Sequence, residues 1–135
     1  MTEQDFFDLV RQGYNRIPLV RELPGDLETP LSVYLKLANA PYTYLLESVV
    51  GGERFGRYSF IGLPARTVIR VRAHLLTVET DGKVTEEYNL PDPLAFVAEF
   101  QARFKAAPVA GLPRFTGGLA GYFGYDTIRY IEKRL

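Results

Sequence analysis

The sequence predicts an α+β fold, with antiparallel β-sheet and helices set around it. Three observations point there. Asp81-Gly82 separates two strand-like runs, the strongest local signal for a β-hairpin. Just before it, Ile69-Arg70-Val71-Arg72 alternates apolar with charged side chains, as a half-buried strand does. Thr29-Pro30 and Asp92-Pro93 each combine a capping side chain with a proline suited to the first helical position.

From the N-terminus, Thr2 followed by Glu3 and Asp5 reads as a helix start, with carboxylates near the positive end of the helix dipole. Phe6, Phe7, Leu9 and Val10 supply an apolar stripe, and Gly13 is a natural stop. Ile17-Pro18-Leu19-Val20 suits an edge strand, because its proline cannot donate to a central ladder. The helix opened by Thr29-Pro30 places Leu31, Tyr34, Leu35 and Ala38 on one face and ends at Asn39 to Pro41. Tyr42 to Val50 is rich in strand formers. Gly51-Gly52-Glu53 then turns the chain into a second strand, Arg57 to Gly62, closed by Leu63-Pro64. Strands are expected over Thr67 to Arg72, Leu75 to Thr80 and Lys83 to Tyr88. The helix after Asp92-Pro93 carries Leu94, Val97, Phe100 and Phe104 on one face, followed by a loop from Pro108 to Pro113.

A length of 135 residues fits one domain, 1–135. Hydrophobic residues make up 47% of it, enough for a core, and a chain of this size buries roughly two thirds of its unfolded surface. Sixteen Lys and Arg against sixteen Asp and Glu give a formal net charge of zero, which argues against a nucleic-acid module. With no cysteine, disulfide frameworks, zinc knuckles and thiol nucleophiles are excluded. The N-terminus is acidic, and no window approaches the ~20 apolar residues of a membrane span. The expectation is a soluble, cytoplasmic protein. Tyr130 to Leu135 contain neither a helix stop nor a polar linker, so the chain reads as interrupted there.

Four segments were weighed for chemistry. Gly117 to Gly124 lacks the Gly-Lys-Ser/Thr of a phosphate loop, and its glycines alternate with Leu119, Tyr122, Phe123 and Tyr125. That pattern suits a bend, a bulge or a close backbone approach within a strand. Leu45-Leu46-Glu47-Ser48 ends a strand and allows two readings: an edge with a solvated Glu47, or the rim of a small pocket. A free amino acid fits such a rim, since its ammonium needs acceptors and an apolar side chain needs a dry slot. Arg54, Arg57, Tyr58 and Ser59 could bind a carboxylate or simply be solvated, while His74, the only histidine, reads as structural. No paired carboxylates stand beside a base, so no catalytic residue and no metal ligand is assigned.

Three stretches together resemble the anthranilate synthase component I family. They are Pro18 to Leu37, then Leu45-Leu46-Glu47-Ser48-Val49 with Gly56-Arg57-Tyr58-Ser59-Phe60-Ile61-Gly62, and finally Phe115 to Asp126. The resemblance implies the N-terminal half of a fold of two large antiparallel sheets, truncated before a chorismate-binding catalytic module. It implies a lyase that makes anthranilate and pyruvate from chorismate and ammonia in tryptophan biosynthesis. Mg2+ would be needed by the full-length enzyme and no cofactor by this part. The partner would be a glutamine amidotransferase subunit, and the effector L-tryptophan, acting by feedback inhibition. The tryptophan site maps onto Ser48, Glu47 and Leu46, with Arg57, Tyr58 and Ser59 as weaker candidates for the opposite wall. Apolar sheet surface left uncovered would favour self-association. Aminodeoxychorismate synthase component I, a sister enzyme of folate synthesis, and a stand-alone amino-acid-binding module remain as alternatives.

Overall fold

The computed structural model describes residues 1–48, 58–113, 115–132 and 134. In chain order the elements are α1 (Glu3–Arg11), α2 (Pro30–Leu37), β1 (Tyr44–Glu47), β2 (Ser59–Gly62), β3 (Thr67–Arg72), β4 (Leu75–Thr80), β5 (Lys83–Asn89) and α3 (Pro93–Ala102). A 3-10 turn at Tyr125–Thr127 then leads into a single helical turn, α4 (Ile128–Ile131). The strands form two small antiparallel sheets, β1-β2 and β3-β4-β5, so the class is α+β as expected. The chain divides into two compact units, one of Leu23–Tyr88 and one of Met1–Glu22 with Asn89–Leu135.

In the Leu23–Tyr88 unit, Thr29 caps α2 reciprocally with Ser32: each side-chain oxygen accepts from the other residue's backbone N–H, at 3.1 and 2.9 Å. The helix ends at Ala38, which is fully buried. Tyr34 and Thr43 share a hydroxyl–hydroxyl hydrogen bond of 2.9 Å, which ties α2 to the residue just before β1. β1 covers only the middle of the expected Tyr42–Val50 strand. Tyr42 sits at φ +60°, outside strand geometry, and its hydroxyl accepts from Arg70, whose guanidinium lies 5.2 Å from the ring centre. Residues 49–57, including the expected turn at 51–53, lie outside the described residues.

β3 and β4 pair over the whole expected length, from Thr67↔Thr80 to Arg72↔Leu75. Ile69 and Val71 therefore share a face with Leu76 and Val78, the two most buried strand residues. Asp81 (φ +51°) and Gly82 (φ +77°) form the two-residue turn between β4 and β5. Two positive φ angles mark a type I′ turn, which the Asp-Gly pair favours because glycine adopts that region without strain. The guanidinium of Arg66 grips Asp81 with both ends of its fork, at 2.9 and 2.7 Å.

In the other unit, Thr2 caps α1 with Asp5 in the same reciprocal way, at 3.1 and 2.8 Å. The helix closes with Gly13 N–H on Val10 O and Tyr14 N–H on Leu9 O, the Schellman pattern. Asn15 then clamps the segment after α3. Its side-chain amide donates to Arg103 O at 2.8 Å and accepts from Lys105 N–H at 2.7 Å. Asp92 caps α3 by accepting from Leu94 and Ala95 N–H. The buried stripe of α3 is Pro93, Phe96 and Phe100, with the expected Leu94, Val97 and Phe104 only half-buried beside it. The i, i+4 stack of Phe96, Phe100 and Phe104 explains the shift, since ring centres lie 6.1 and 5.3 Å apart.

Two expected strands do not form. Ile17 to Val20 makes no ladder; pairing there is limited to a parallel bridge from Arg16 to Ala106. Pro18 has no N–H to give, and the segment finds no strand to lie against. Phe115 to Gly124 likewise joins no ladder, and Tyr122 and Tyr125 are each 94% exposed.

Three surface carboxylates are held below the usual carboxylate range. Asp81 owes this first to the Arg66 fork, Glu28 to the Lys36 ammonium and then the Ser32 hydroxyl, and Asp5 to the Thr2 backbone N–H. A carboxylate with a lowered folded pKa contributes stability that is complete above its unfolded value and fades as pH falls through the folded one. Stability is therefore expected to fall on acidification below about pH 4. The urea midpoint of Arg66→Ala should fall less steeply in that window than that of the unaltered chain; equal slopes would contradict the role given to the Arg66–Asp81 pair.

Candidate functional site

The expected site residues that the structure describes gather on the β1-β2 ribbon. Antiparallel register sets Tyr44 opposite Gly62, Leu45 opposite Ile61, Leu46 opposite Phe60 and Glu47 opposite Ser59. Residues directly opposite one another share a face, so two sets result. Leu45, Glu47, Ser59 and Ile61 occupy one face, and Tyr44, Leu46, Phe60 and Gly62 the other.

The first face carries the polar chemistry. Ser59 Oγ donates to Glu47 Oε1 at 3.4 Å, a long hydrogen bond between two exposed side chains. A carboxylate beside a hydroxyl at an open edge offers acceptors to an ammonium group, and the hydroxyl can also donate to a carboxylate. Leu45 and Ile61, both half-buried, lie next to this pair on the same face. The opposite face is apolar. Leu46 is 54% exposed, and the Phe60 and Tyr58 rings lie 6.1 Å apart.

Sequence reasoning named Leu46, Glu47, Ser48, Tyr58 and Ser59, and all five fall on or next to the ribbon. Glu47 and Ser59 are brought together, whereas Leu46 points away from them. Ser48 stands one residue past β1 and Tyr58 one residue before β2, so both flank the Glu47–Ser59 end of the ribbon. Arg57 and Arg54 lie outside the described residues. Phe60 was not singled out as a site residue. Its signal is register, since it faces Leu46 across the ribbon, and register is invisible until the pairing is known.

Elsewhere, His74 lies in the two-residue connection between β3 and β4. The glycines from Gly117 to Gly124 precede a helix of one turn whose first residues receive no side-chain cap, which is no cradle for a phosphate. Among the described residues, no group of three or more His, Asp or Glu could hold a metal ion, and no step is routed through one. No described helix is long and apolar enough to cross a membrane.

The chain is similar over its whole length to proteins named "Anthranilate synthase component 1". In Pseudomonas aeruginosa the identity is 60% over 135 residues, covering all of the chain and 27% of the relative. In Neisseria gonorrhoeae it is 56% over 132 residues, 98% of the chain and 27% of the relative. In Aquifex aeolicus it is 43% over 122 residues, 90% of the chain and 24% of the relative. The chain thus spans about a quarter of the length of these curated relatives and matches their N-terminal part. No family model matches it, and no solved structure does.

The long Glu47–Ser59 contact between exposed groups predicts a small role in folding. Glu47→Gln and Ser59→Ala should each change unfolding free energy by less than about 0.5 kcal/mol, measured by urea denaturation. A loss above about 2 kcal/mol in either variant would show that the pair is structural rather than free for a ligand.

Proposed function

We propose that this chain, homologous along its whole length to the N-terminal part of the anthranilate synthase large subunit, is the regulatory portion of such a subunit. In this reading the longer protein is a lyase of tryptophan biosynthesis that works in the cytoplasm. It converts chorismate and ammonia to anthranilate and pyruvate, taking ammonia from glutamine through an amidotransferase partner. The residues that hold chorismate and Mg2+ belong to the part of the subunit outside this chain, so no catalytic step is assigned to the residues described above.

The regulatory role rests on the β1-β2 ribbon. It presents Leu46-Glu47-Ser48 at an exposed strand end, with Ser59 set opposite Glu47. Glu47 and Ser59 offer acceptors to the ammonium of L-tryptophan, and Ser48 offers a hydroxyl to its carboxylate. Leu46 and Tyr58 supply apolar surface for the indole. Because Leu46 and Glu47 lie on opposite faces, one ligand reaches both only by lying across the end of the ribbon beside Ser48. Leu46 and Tyr58 are 54% and 50% exposed, so the ribbon by itself leaves an indole wet. Additional walls must come from elsewhere in the subunit, together with Arg57 as the weaker candidate on the far side.

Calorimetric titration tests this directly. L-tryptophan should bind the longer subunit saturably, and Ser48→Ala should weaken that binding by at least about tenfold, the cost of one hydrogen bond to a charged group. The 135-residue chain alone should show no saturable binding. Saturable binding by the chain alone would instead support a self-contained amino-acid sensor. A longer subunit indifferent to tryptophan would refute the feedback role, and one that made aminodeoxychorismate would belong to the sister enzyme.

The surface supports a second expectation. Leu19, Leu23, Leu27, Tyr122, Phe123 and Tyr125 are all exposed. Large apolar side chains in such numbers favour association between copies. Light scattering should show the isolated chain self-associating as concentration rises; a strict monomer at high concentration would contradict this.

A further inference from the structure

We propose that the Tyr44 ring, lying over Gly62, is a register lock that positions the Glu47–Ser59 rim of the site. A Cβ built on Gly62 would fall inside the Tyr44 ring, 2.6 Å from Cζ and nearer still to Cε1. No side chain larger than hydrogen can occupy position 62 while the ring stays where it is. The two residues are direct partners in the ladder, so the ring covers the glycine across the strands rather than along one of them.

The lock matters because the ribbon is short. Four residue pairs hold β1 to β2, and no third strand joins their sheet among the described residues. Two strands with so few pairs are marginal in water, and a slip of one residue sends every side chain to the other face. After such a slip Glu47 would no longer face Ser59. One backbone tie also acts beyond the Tyr44–Gly62 end of the ribbon, outside the ladder: Ala65 N–H bonds to Tyr42 O at 3.1 Å. The ring over Gly62 is the first side-chain contact inside the ladder, two pairs from Leu46–Phe60 and three from Glu47–Ser59. Tyr44 and Gly62 are thus positioning residues, acting on the ligand through Glu47 and Ser59 without touching it. This inference rests on the reading of the ribbon as a tryptophan site.

The absence of cysteine allows a direct test of register. Leu45→Cys with Ile61→Cys places a thiol on each member of an opposed pair on the Glu47 face, and the fraction cross-linked in a fixed redox buffer reports how often they meet. Adding Gly62→Ala should lower that fraction by roughly fivefold, the upper range for one cross-strand pair. Tyr44→Ala removes the ring itself and should lower the fraction by a similar factor, alone or together with Gly62→Ala. Tyr44→Phe keeps the ring and should change nothing. In parallel, the affinity of the longer subunit for L-tryptophan should fall with Gly62→Ala and with Tyr44→Ala, stay low in the double variant and remain unchanged in Tyr44→Phe. Unchanged cross-linking in Gly62→Ala or in Tyr44→Ala, or recovery in the double variant, would overturn the lock. Cross-linking that follows the substitutions while tryptophan affinity does not would overturn its connection to the site. If the unaltered longer subunit binds no tryptophan, the functional reading fails, and cross-linking alone decides the lock.

Discussion

Pairing between β1 and β2 is the constraint on which the candidate site depends. Backbone hydrogen bonds bring the two strands together, but they are blind to side chains and would serve a slipped register almost as well. What distinguishes the observed register is side-chain fit. Tyr44 covers Gly62, Leu45 meets Ile61, Leu46 meets Phe60, and Glu47 meets Ser59. The ribbon is also tied at its Tyr44–Gly62 end to the rest of its unit. Tyr34 holds Thr43, and Arg70, itself paired with Glu79 on β4, holds the Tyr42 hydroxyl. These ties act at the Tyr44–Gly62 end, away from Glu47, Ser48, Tyr58 and Ser59, which are exposed.

Burial follows from the same shortage of partners. Among the described residues, fully or nearly buried side chains are few: Ala38, Leu76, Val78, Pro93, Phe96, Phe100 and Ala107. Large apolar residues meanwhile remain in water along 19–27 and 119–125. A free-standing domain of this size normally covers such residues, since burying one is worth about 1.5–3 kcal/mol. Their exposure agrees with a chain that matches only about a quarter of its relatives' length.

What could be read from the sequence was what short-range chemistry decides. Thr2, Thr29 and Asp92 cap their helices because a hydroxyl or carboxylate reaches N–H groups two or three residues on, with no help from distant chain. Asp81-Gly82 turns the chain for an equally local reason, and the alternation around it set the β3-β4 faces correctly. The failures share a cause. Ile17 to Val20 and Phe115 to Gly124 have strand-like composition but no strand beside them, and composition does not reveal a partner. At the site, simple alternation puts Leu46 and Glu47 on opposite faces. It could not show that Ser59 stands across from Glu47 or that Phe60 backs Leu46, because both depend on register. The close fit of Gly62 under Tyr44 was equally hidden, since in sequence that glycine looks like the end of a strand.

Amide hydrogen exchange across β1 and β2 tests the central claim, that this ribbon is one wall of an amino-acid site completed by the longer subunit. Exchange should be followed at Leu45, Leu46, Phe60 and Ile61 in the 135-residue chain and in the longer subunit, with and without L-tryptophan. The account predicts that tryptophan slows exchange at these amides in the longer subunit and leaves the isolated chain unchanged. Unaltered exchange at these amides in a longer subunit saturated with tryptophan would contradict it.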